Sequence, residues 1–351
     1  MKQGYLGKRY AHPVWSVILG GDVPSNVWDT IIIGGGPAGL SAALVLGRCC
    51  REVLVCDAGT PRNWAAHQMH GFLTRDGIPP TEFRALAHQQ LAGYRNVKFW
   101  EGEVTDVARE SDLTFRVMLN GDRAELARKI LIATGVADQL PALPGIEEFW
   151  GNSVHQCPYC DGWELRGAPI AVYGKRSRGL EMARAMTAWT SDIALCTDGH
   201  SGLKAPERGA LESNGIEVIE ERIVKLAGAD GQLEAVVFKS GRRLPRRALF
   251  FDTPCVPQSD LARKLGCQVT RKGGIRCGRY EATSVPGVFV AGNIINDVQL
   301  AIVAAAEGTR AAFGINRSLT REDFELRATG VQRVEHPPVD DDETARRRPQ
   351  A

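Results

Sequence analysis

Long apolar runs are missing from this sequence: none approaches the roughly 18 consecutive residues that a membrane-spanning helix needs. Net charge is nearly missing too. Lysine and arginine number 43 against 41 aspartates and glutamates, a formal +2 with no basic stripe. That removes the long-range attraction expected of a partner for nucleic acid or a membrane surface. An export signal is not expected: Lys2, Lys8 and Arg9 precede only a short apolar run, 14–19, with no evident small-residue cleavage site behind it. Nor is a disulfide framework. Of nine cysteines, Cys49, Cys50, Cys56, Cys196, Cys255, Cys267 and Cys277 lie in or beside apolar stretches or alone, and read as inert core or surface thiols. Only Cys157 and Cys160 form a close CxxC. Without an export signal a reducing, cytoplasmic setting is expected, where such a motif is catalytic or metal-binding rather than a structural staple. No second CxxC or CxxH stands nearby to complete a zinc site.

What is present is the composition of a globular protein, 44% hydrophobic and 24% charged, in a chain long enough at 351 residues for two domains. Asp29-Thr30-Ile31-Ile32-Ile33 reads as a buried strand. Gly34-Gly35-Gly36-Pro37-Ala38-Gly39 follows at once, then an Ala/Leu-rich helix to about Gly47, then a second strand over 51–57. This is a βαβ unit with a nucleotide-binding turn. Gly34 permits the tight turn, Gly36 lets backbone approach a pyrophosphate, and Gly39 lets the helix pack close to the sheet. Asp57, at the end of the next strand, is placed to bind ribose hydroxyls. A short strand over 129–133 ends in Ala133-Thr134-Gly135, and Pro141-Ala142-Leu143-Pro144-Gly145 is a plausible crossing point. A second βαβ unit begins at Pro169, with strands over 170–173 and 193–197 and a helix over 180–189. From Gly273 the chain reads as the second half of the first domain, with a strand and turn over 287–293 and a helix over 299–315.

The expected fold is therefore α/β, two Rossmann-like three-layer domains with the second inserted into a discontinuous first. The divisions are an N-terminal extension (1–26), a first domain (27–143 and 273–319), an inserted domain carrying the CxxC (144–272), and a polar tail (320–351).

Four further segments carry a resemblance. They are Ile132-Ala133-Thr134-Gly135, the run TSVPGVFVAGN over 283–293, Ala304-Ala305-Ala306-Glu307-Gly308, and His155-Gln156-Cys157-Pro158-Tyr159-Cys160-Asp161-Gly162. With the glycine turn, they resemble the thioredoxin-reductase-like pyridine nucleotide–disulfide oxidoreductases over 27–319. The resemblance implies bound FAD, with Gly34, Gly36, Pro37, Ala38, Gly39, Asp57, Thr134, Gly135, Gly292, Asn293 and Gln299 as its binding residues. The family carries an acid where this chain has Asn293; an amide can still hydrogen-bond ribityl and flavin oxygens. It further implies that Cys160 is the sulfur nearer the flavin and that Cys157 exchanges with substrate. Asp161 would donate or accept the proton of the departing thiol. A homodimer is implied as well, and domain rotation if a pyridine nucleotide serves the flavin.

The second nucleotide turn departs from the family. Gly174-Lys175-Arg176-Ser177-Arg178-Gly179 puts Arg176 at the middle glycine, and the next strand ends at Thr197-Asp198-Gly199, where NADPH users carry basic residues. Arg176 would block close backbone approach, and Asp198 would repel a 2′-phosphate and suit at most NADH. The site is expected to be degenerate, which leaves use of NAD(P)H open. Ala66-His67-Gln68-Met69-His70-Gly71 and its continuation to Gly77 resemble the subgroup containing the dithiol oxidases of disulfide natural products. There His67 or His70 would act on substrate thiols, or would simply be a structural loop histidine. Three functions follow: a reductase of a thioredoxin-like protein or small disulfide, a dithiol oxidase using oxygen or another acceptor, and a non-enzymatic flavin redox sensor.

Overall fold

A computed structural model of the chain describes residues 27–112 and 114–328. The expected N-terminal extension, and the expected tail beyond residue 328, lie outside the described residues.

The first sheet grows from the run of β-branched residues in β1 (Val27–Ile33). A strand buried on both faces favours such side chains, and β1 is buried throughout its second half. α1 (Pro37–Arg48) crosses over it to β2 (Val53–Asp57). Then α2 (Pro80–Leu91) leads to β3 (Val97–Glu101), and a meander follows: β4 (Val104–Arg109), β5 (Phe115–Leu119) and β6 (Arg123–Ile132). The order is β3-β2-β1-β6-β5-β4. β3, β2, β1 and β6 run parallel, whereas β4, β5 and β6 are antiparallel. β6 starts six residues before the expected 129 because its first half carries this meander.

Next, β7 (Val136–Asp138) leaves the sheet, and α3 (Ile146–Phe149), β8 (Val154–His155) and α4 (Pro158–Asp161) lead into a second unit. Its parallel core is β9 (Ile170–Tyr173), α5 (Arg176–Met186), β10 (Ile193–Cys196), α6 (Ala205–Ser213) and β11 (Glu217–Ile219). An antiparallel layer follows in β12 (Ile223–Ala229), β13 (Gln232–Phe238) and β14 (Arg243–Pro245), before β15 (Ala248–Phe251) returns to the parallel sheet. That sheet is ordered β11-β10-β9-β15-β8. α5 and α6 cover one face, through Leu180, Met186 and Leu211. The antiparallel layer covers the other through Leu226, Val236 and Phe238. α5 starts four residues earlier than expected, at Arg176 inside the glycine turn.

The return crossing is made by β16 (Cys255–Pro257), which pairs antiparallel with β7: Cys255 faces Asp138 and Pro257 faces Val136. This is well before the expected return at 273. After it come α7 (Leu261–Lys264) and β17 (Val288–Val290), which pairs with β6 beyond the reach of β5. Leu261, Ala262 and Cys267 pack with Ile31, Val107 and Phe115, so 261–267 belong to the first core.

α8 (Ala301–Ala328) closes the first unit on its helical face. It continues well past Thr320, where a solvated tail was expected. The polar residues there point inward: Asp323 pairs with Arg51 at 2.6 Å and Arg128 at 2.7 Å, and Glu322 pairs with Lys129. Arg51 and Lys129 are almost wholly buried, so these ion pairs hold the last turns of α8 on the sheet. Among the described residues no helix is long and apolar enough to cross a membrane.

Candidate active site

The glycine turn is tightly packed at its two ends and open at its middle. Gly34 has φ +116, and a Cβ there would fall 2.3 Å from the Ala133 carbonyl oxygen. A Cβ on Gly39 would fall 1.9 Å from the Gly34 carbonyl oxygen, so α1 meets the strand with no room for a side chain. A Cβ on Gly36 would meet nothing within 4 Å. Its backbone instead faces an open cavity, at the N-cap of a helix with no side-chain cap and no acid in its first turn. Free N–H groups and the helix dipole there suit an anion.

Gly35 was not singled out by the sequence, yet its Cβ would lie 2.3 Å from an Asp57 carboxylate oxygen. Asp57 also accepts a hydrogen bond from the Gly59 N–H at 3.0 Å and pairs with Arg84 of α2. The acid expected to bind ribose hydroxyls is therefore oriented by a cation 27 residues away, which no local pattern announced.

The cavity encloses ≈1610 Å³. Gly34, Gly36, Pro37, Ala38, Asp57, Thr134, Gly135, Gly292, Asn293 and Gln299 all line it, together with the disulfide; Gly39 lies behind the wall as a packing residue. An open helix N-terminus, a carboxylate and a long cavity fit a dinucleotide such as FAD. Gly292 donates its N–H to Glu307 at 2.7 Å, which fixes the turn before Asn293, and burial pushes the Glu307 carboxyl above its ordinary range. Of Ala304 to Gly308, only Ala304 reaches the cavity. Gly308 packs α8 onto α1, where a Cβ would fall 1.9 Å from the Ala38 carbonyl oxygen.

The cysteine pair hangs from β8, the edge strand of the second sheet. Cys157 is the N-cap of one-turn α4, Pro158 opens the helix with a φ already suited to it, and Cys157 and Cys160 are bonded with Cα atoms 5.3 Å apart. Gly162 has no room for a Cβ, which would lie 2.8 Å from the Trp189 ring. Asp161 lies 3.3 Å from Nδ1 of His155, which is buried against Phe250. Among the described residues no three His, Cys, Asp or Glu side chains gather around a metal position.

Arg62, unmarked in the sequence, ties this region together. Its guanidinium donates to Gln299 at 2.6 Å, Asp138 at 2.9 Å, Gln156 at 3.1 Å and the Cys255 sulfur at 3.3 Å. The residue before Cys157, both crossing strands and the approach to α8 thus share one cation. Burial raises the Cys255 thiol and pushes those of Cys56 and Cys196 up to about 12, so the latter two are inert at neutral pH. Cys49 and Cys50 are exposed.

His70 lines the cavity, whereas His67 is exposed and does not. At the second nucleotide turn, Gly174 and Gly179 touch as a nucleotide-fold turn requires. Arg176 has φ +53, donates its N–H to the Ser201 carbonyl at 2.8 Å, and lays its side chain over Gly202. The Asp198 carboxylate accepts the Ile223 N–H at 2.8 Å, and Lys175 donates to the Asp198 carbonyl at 2.9 Å.

Residues 28–308 match the family model described as pyridine nucleotide-disulphide oxidoreductase. Thioredoxin reductase tcpT of Claviceps purpurea (strain 20.1) is 34% identical over 279 residues, 77% of this chain and 87% of that one. The crystal structure of HlmI is 35% identical with a TM-score of 0.84, covering 89% of this chain and 98% of that one. An oxidoreductase structure from Agrobacterium tumefaciens is 34% identical with a TM-score of 0.79, covering 84% of this chain and 99% of that one.

Proposed function

This chain belongs to the pyridine nucleotide-disulphide oxidoreductases, and from that premise we propose that it is an FAD-dependent thiol–disulfide oxidoreductase whose redox pair is Cys157–Cys160. One observation carries the reading: the disulfide opens onto the same cavity as the glycine turn at Gly36 and the Gly292–Asn293 turn. FAD, when bound, supplies two-electron redox chemistry beside the pair. Gly36 and the N-terminus of α1 would hold its phosphates, with Asp57, steered by Arg84, at a ribose. The pair itself cycles between a disulfide and two thiols, gaining or losing two electrons and two protons in exchange with a thiol or disulfide substrate. Asp161, oriented by His155, is the group placed to hold a proton for the cysteine released when the bond opens.

A second reading, oxidation of a dithiol with no pyridine nucleotide, is favoured by the second turn. Arg176 stands at the position where backbone would approach a pyrophosphate, and its own N–H is already spent on Ser201. Two residues past the end of β10 stands Asp198, a carboxylate bound to backbone. These features support a degenerate nicotinamide site over ordinary NADPH use.

Anaerobic mixing of the flavin-loaded protein with NADPH, NADH or a dithiol, following the flavin absorbance, tests both readings. Bleaching by dithiol alone, with recovery in air, is expected for the oxidase. Bleaching by NADPH at a catalytic rate would identify a reductase instead. A Cys160→Ser variant that kept full turnover would refute the dithiol mechanism under either reading.

A further inference from the structure

The cysteine pair is thinly supported by its own unit. β8, from which it hangs, is two residues long and lies at the sheet edge, with Val154 against Leu249 and His155 against Phe250 of β15. The later part of α4 rests on Trp189, which Tyr159 meets edge-on and against which Gly162 leaves no room for a side chain. The end that carries Cys157 is reached from the first unit instead.

The loop between β2 and α2 touches the second unit on both sides of β8. Ahead of the strand, a Cβ on Gly151 would fall 2.2 Å from the Ala65 carbonyl oxygen, so backbone lies on backbone. Behind it, Gln156 is held at both ends of its amide. Its Oε1 accepts from Nη2 of Arg62 at 3.1 Å, and its Nε2 donates to the Thr253 carbonyl at 3.1 Å. Gln156 immediately precedes Cys157, so a pinned Gln156 fixes where α4 begins.

Arg62 is itself aimed from two directions. Asp138 of β7 takes its Nε at 2.9 Å and its Nη2 at 2.5 Å, a fork on a carboxylate. Gln299, before α8, takes Nη1 at 2.6 Å. The Arg62 side chain is 22% exposed and that of Asp138 11%, so water screens the ion pair little. The two charges cancel, and what Arg62 adds at the cavity is direction rather than net charge. Lysine, a point charge on a flexible stem without the planar fork, cannot hold Asp138, Gln156 and Gln299 from one place.

We propose that Arg62 is a positioning residue for the redox step: through Gln156 it sets the Cys157–Cys160 pair over the flavin, and through Gln299 it refers that position to the turn expected to hold the flavin. The inference rests on the reading of Cys157–Cys160 as the redox pair. Arg62 acts through Gln156 and not on the sulfurs. Its reach matters because exchange of electrons needs sulfur and flavin in contact, and a displacement of about 1 Å costs on the order of 100-fold in rate.

The test uses the full, flavin-loaded chain carrying Cys157→Ser, which leaves Cys160 as the single thiol of the pair. At about pH 9.5, where an unperturbed thiol is ionised, a thiolate touching oxidised flavin gives a long-wavelength charge-transfer band. Arg62→Lys and Arg62→Ala, each added to this parent, should lose most of that band while FAD affinity stays within about threefold. Amide hydrogen exchange over 154–160 should speed at least about tenfold, with β1 and β9 within about twofold of the parent. Gln156→Leu, which leaves the Arg62–Asp138 pair whole, should lose the band as well and keeps the test open if an Arg62 variant fails to hold FAD. A band kept by lysine and lost by alanine would make the charge of Arg62 the operative property and overturn the inference. So would exchange that rises alike through both units, the mark of a merely structural role, or a band that survives Gln156→Leu. A parent that binds FAD but shows no band would sink the redox reading itself, whereas a band present in the parent and unchanged in every variant sinks the positioning role alone.

Discussion

Gly36→Ala and Gly39→Ala change the same atom count in the same turn, and the structure predicts opposite consequences. At Gly36 φ is −81° and ψ −177°, an extended conformation open to alanine, and the new methyl touches nothing within 4 Å. Alanine is the poorer N-cap by roughly 0.5–1 kcal/mol. Restricting the unfolded chain returns about 0.4–1 kcal/mol. Folding of the FAD-free protein should therefore shift by no more than about 0.5 kcal/mol. The methyl would, however, project where the backbone must approach a phosphate. Loss of one charge-assisted hydrogen bond, about 1.5–3 kcal/mol, weakens FAD binding by roughly 10- to 100-fold. At Gly39 the methyl would lie 1.9 Å from a carbonyl oxygen, whereas ordinary contact begins at 3.4 Å. α1 would have to lift from the strand, and α8 resists, since Gly308 already leaves no side-chain space against Ala38. Overpacking of this kind costs about 1–3 kcal/mol. Urea unfolding of the FAD-free variants and titration of FAD by fluorescence quenching separate the two effects. A Gly36→Ala protein that unfolds as easily as Gly39→Ala, or that binds FAD like the wild type, would refute the assignment of this turn.

Arg176→Gly should stabilise the fold by about 1 kcal/mol in urea unfolding, since glycine relieves the left-handed φ of +53; a destabilised variant would mean that the side-chain contact with Gly202 outweighs the strain. Arg51→Met should cost about 2 kcal/mol, because it breaks a buried cluster with Asp323, Asn316 and Thr320 and loosens the end of α8; early proteolysis near residue 328 should accompany the loss. Glu281, nearly buried and facing Arg310 at 3.2 Å, is raised from 4.5 to about 7 chiefly by burial. The folded state therefore binds its proton more tightly than the unfolded state. The associated stability is full below pH 4.5 and is lost as pH rises to about 7. Gln cannot ionise, so the Tm of Glu281→Gln relative to wild type should climb by a few degrees between pH 4.5 and 8; a constant difference across that range would contradict the assignment.

What could be read from the sequence was what lies close along the chain. The strand, glycines and helix of 29–47 are one local unit, and a CxxC is a spacing. Both βαβ units and the two-Rossmann fold follow from such local patterns. The crossing at Cys255–Pro257 was not readable, because three residues carry no periodicity and their partner strand lies 117 positions earlier. The end of α8 was misread for a related reason. Glu322 and Asp323 look solvated in isolation, and only folding brings Arg51, Arg128 and Lys129 to them. Arg62 and Arg84 are the clearest omissions at the site. Their partners lie 27 to 237 residues away, and an arginine in a loop or on a half-exposed helix carries no mark of the cavity it will line. The choice between His67 and His70 was likewise a question of which way a loop faces.

The two glycine turns share their strand–helix contact and differ in what their polar groups bond. In both, the first and last glycines are pressed together by the strand–helix contact, and neither tolerates a side chain. They differ at the middle position. Gly36 leaves its backbone facing an empty volume, and the first N–H groups of α1 have no side-chain cap. Arg176 closes the corresponding space from within: its N–H is bonded to Ser201, its side chain covers Gly202, and Lys175 and Asp198 are bonded across the same turn. A left-handed non-glycine residue costs on the order of 1–2 kcal/mol, and these internal bonds offset it. A turn that satisfies its own donors has fewer to offer a phosphate. The strand–helix contact of the motif is thus retained in the second unit, while the polar groups of its turn make internal contacts.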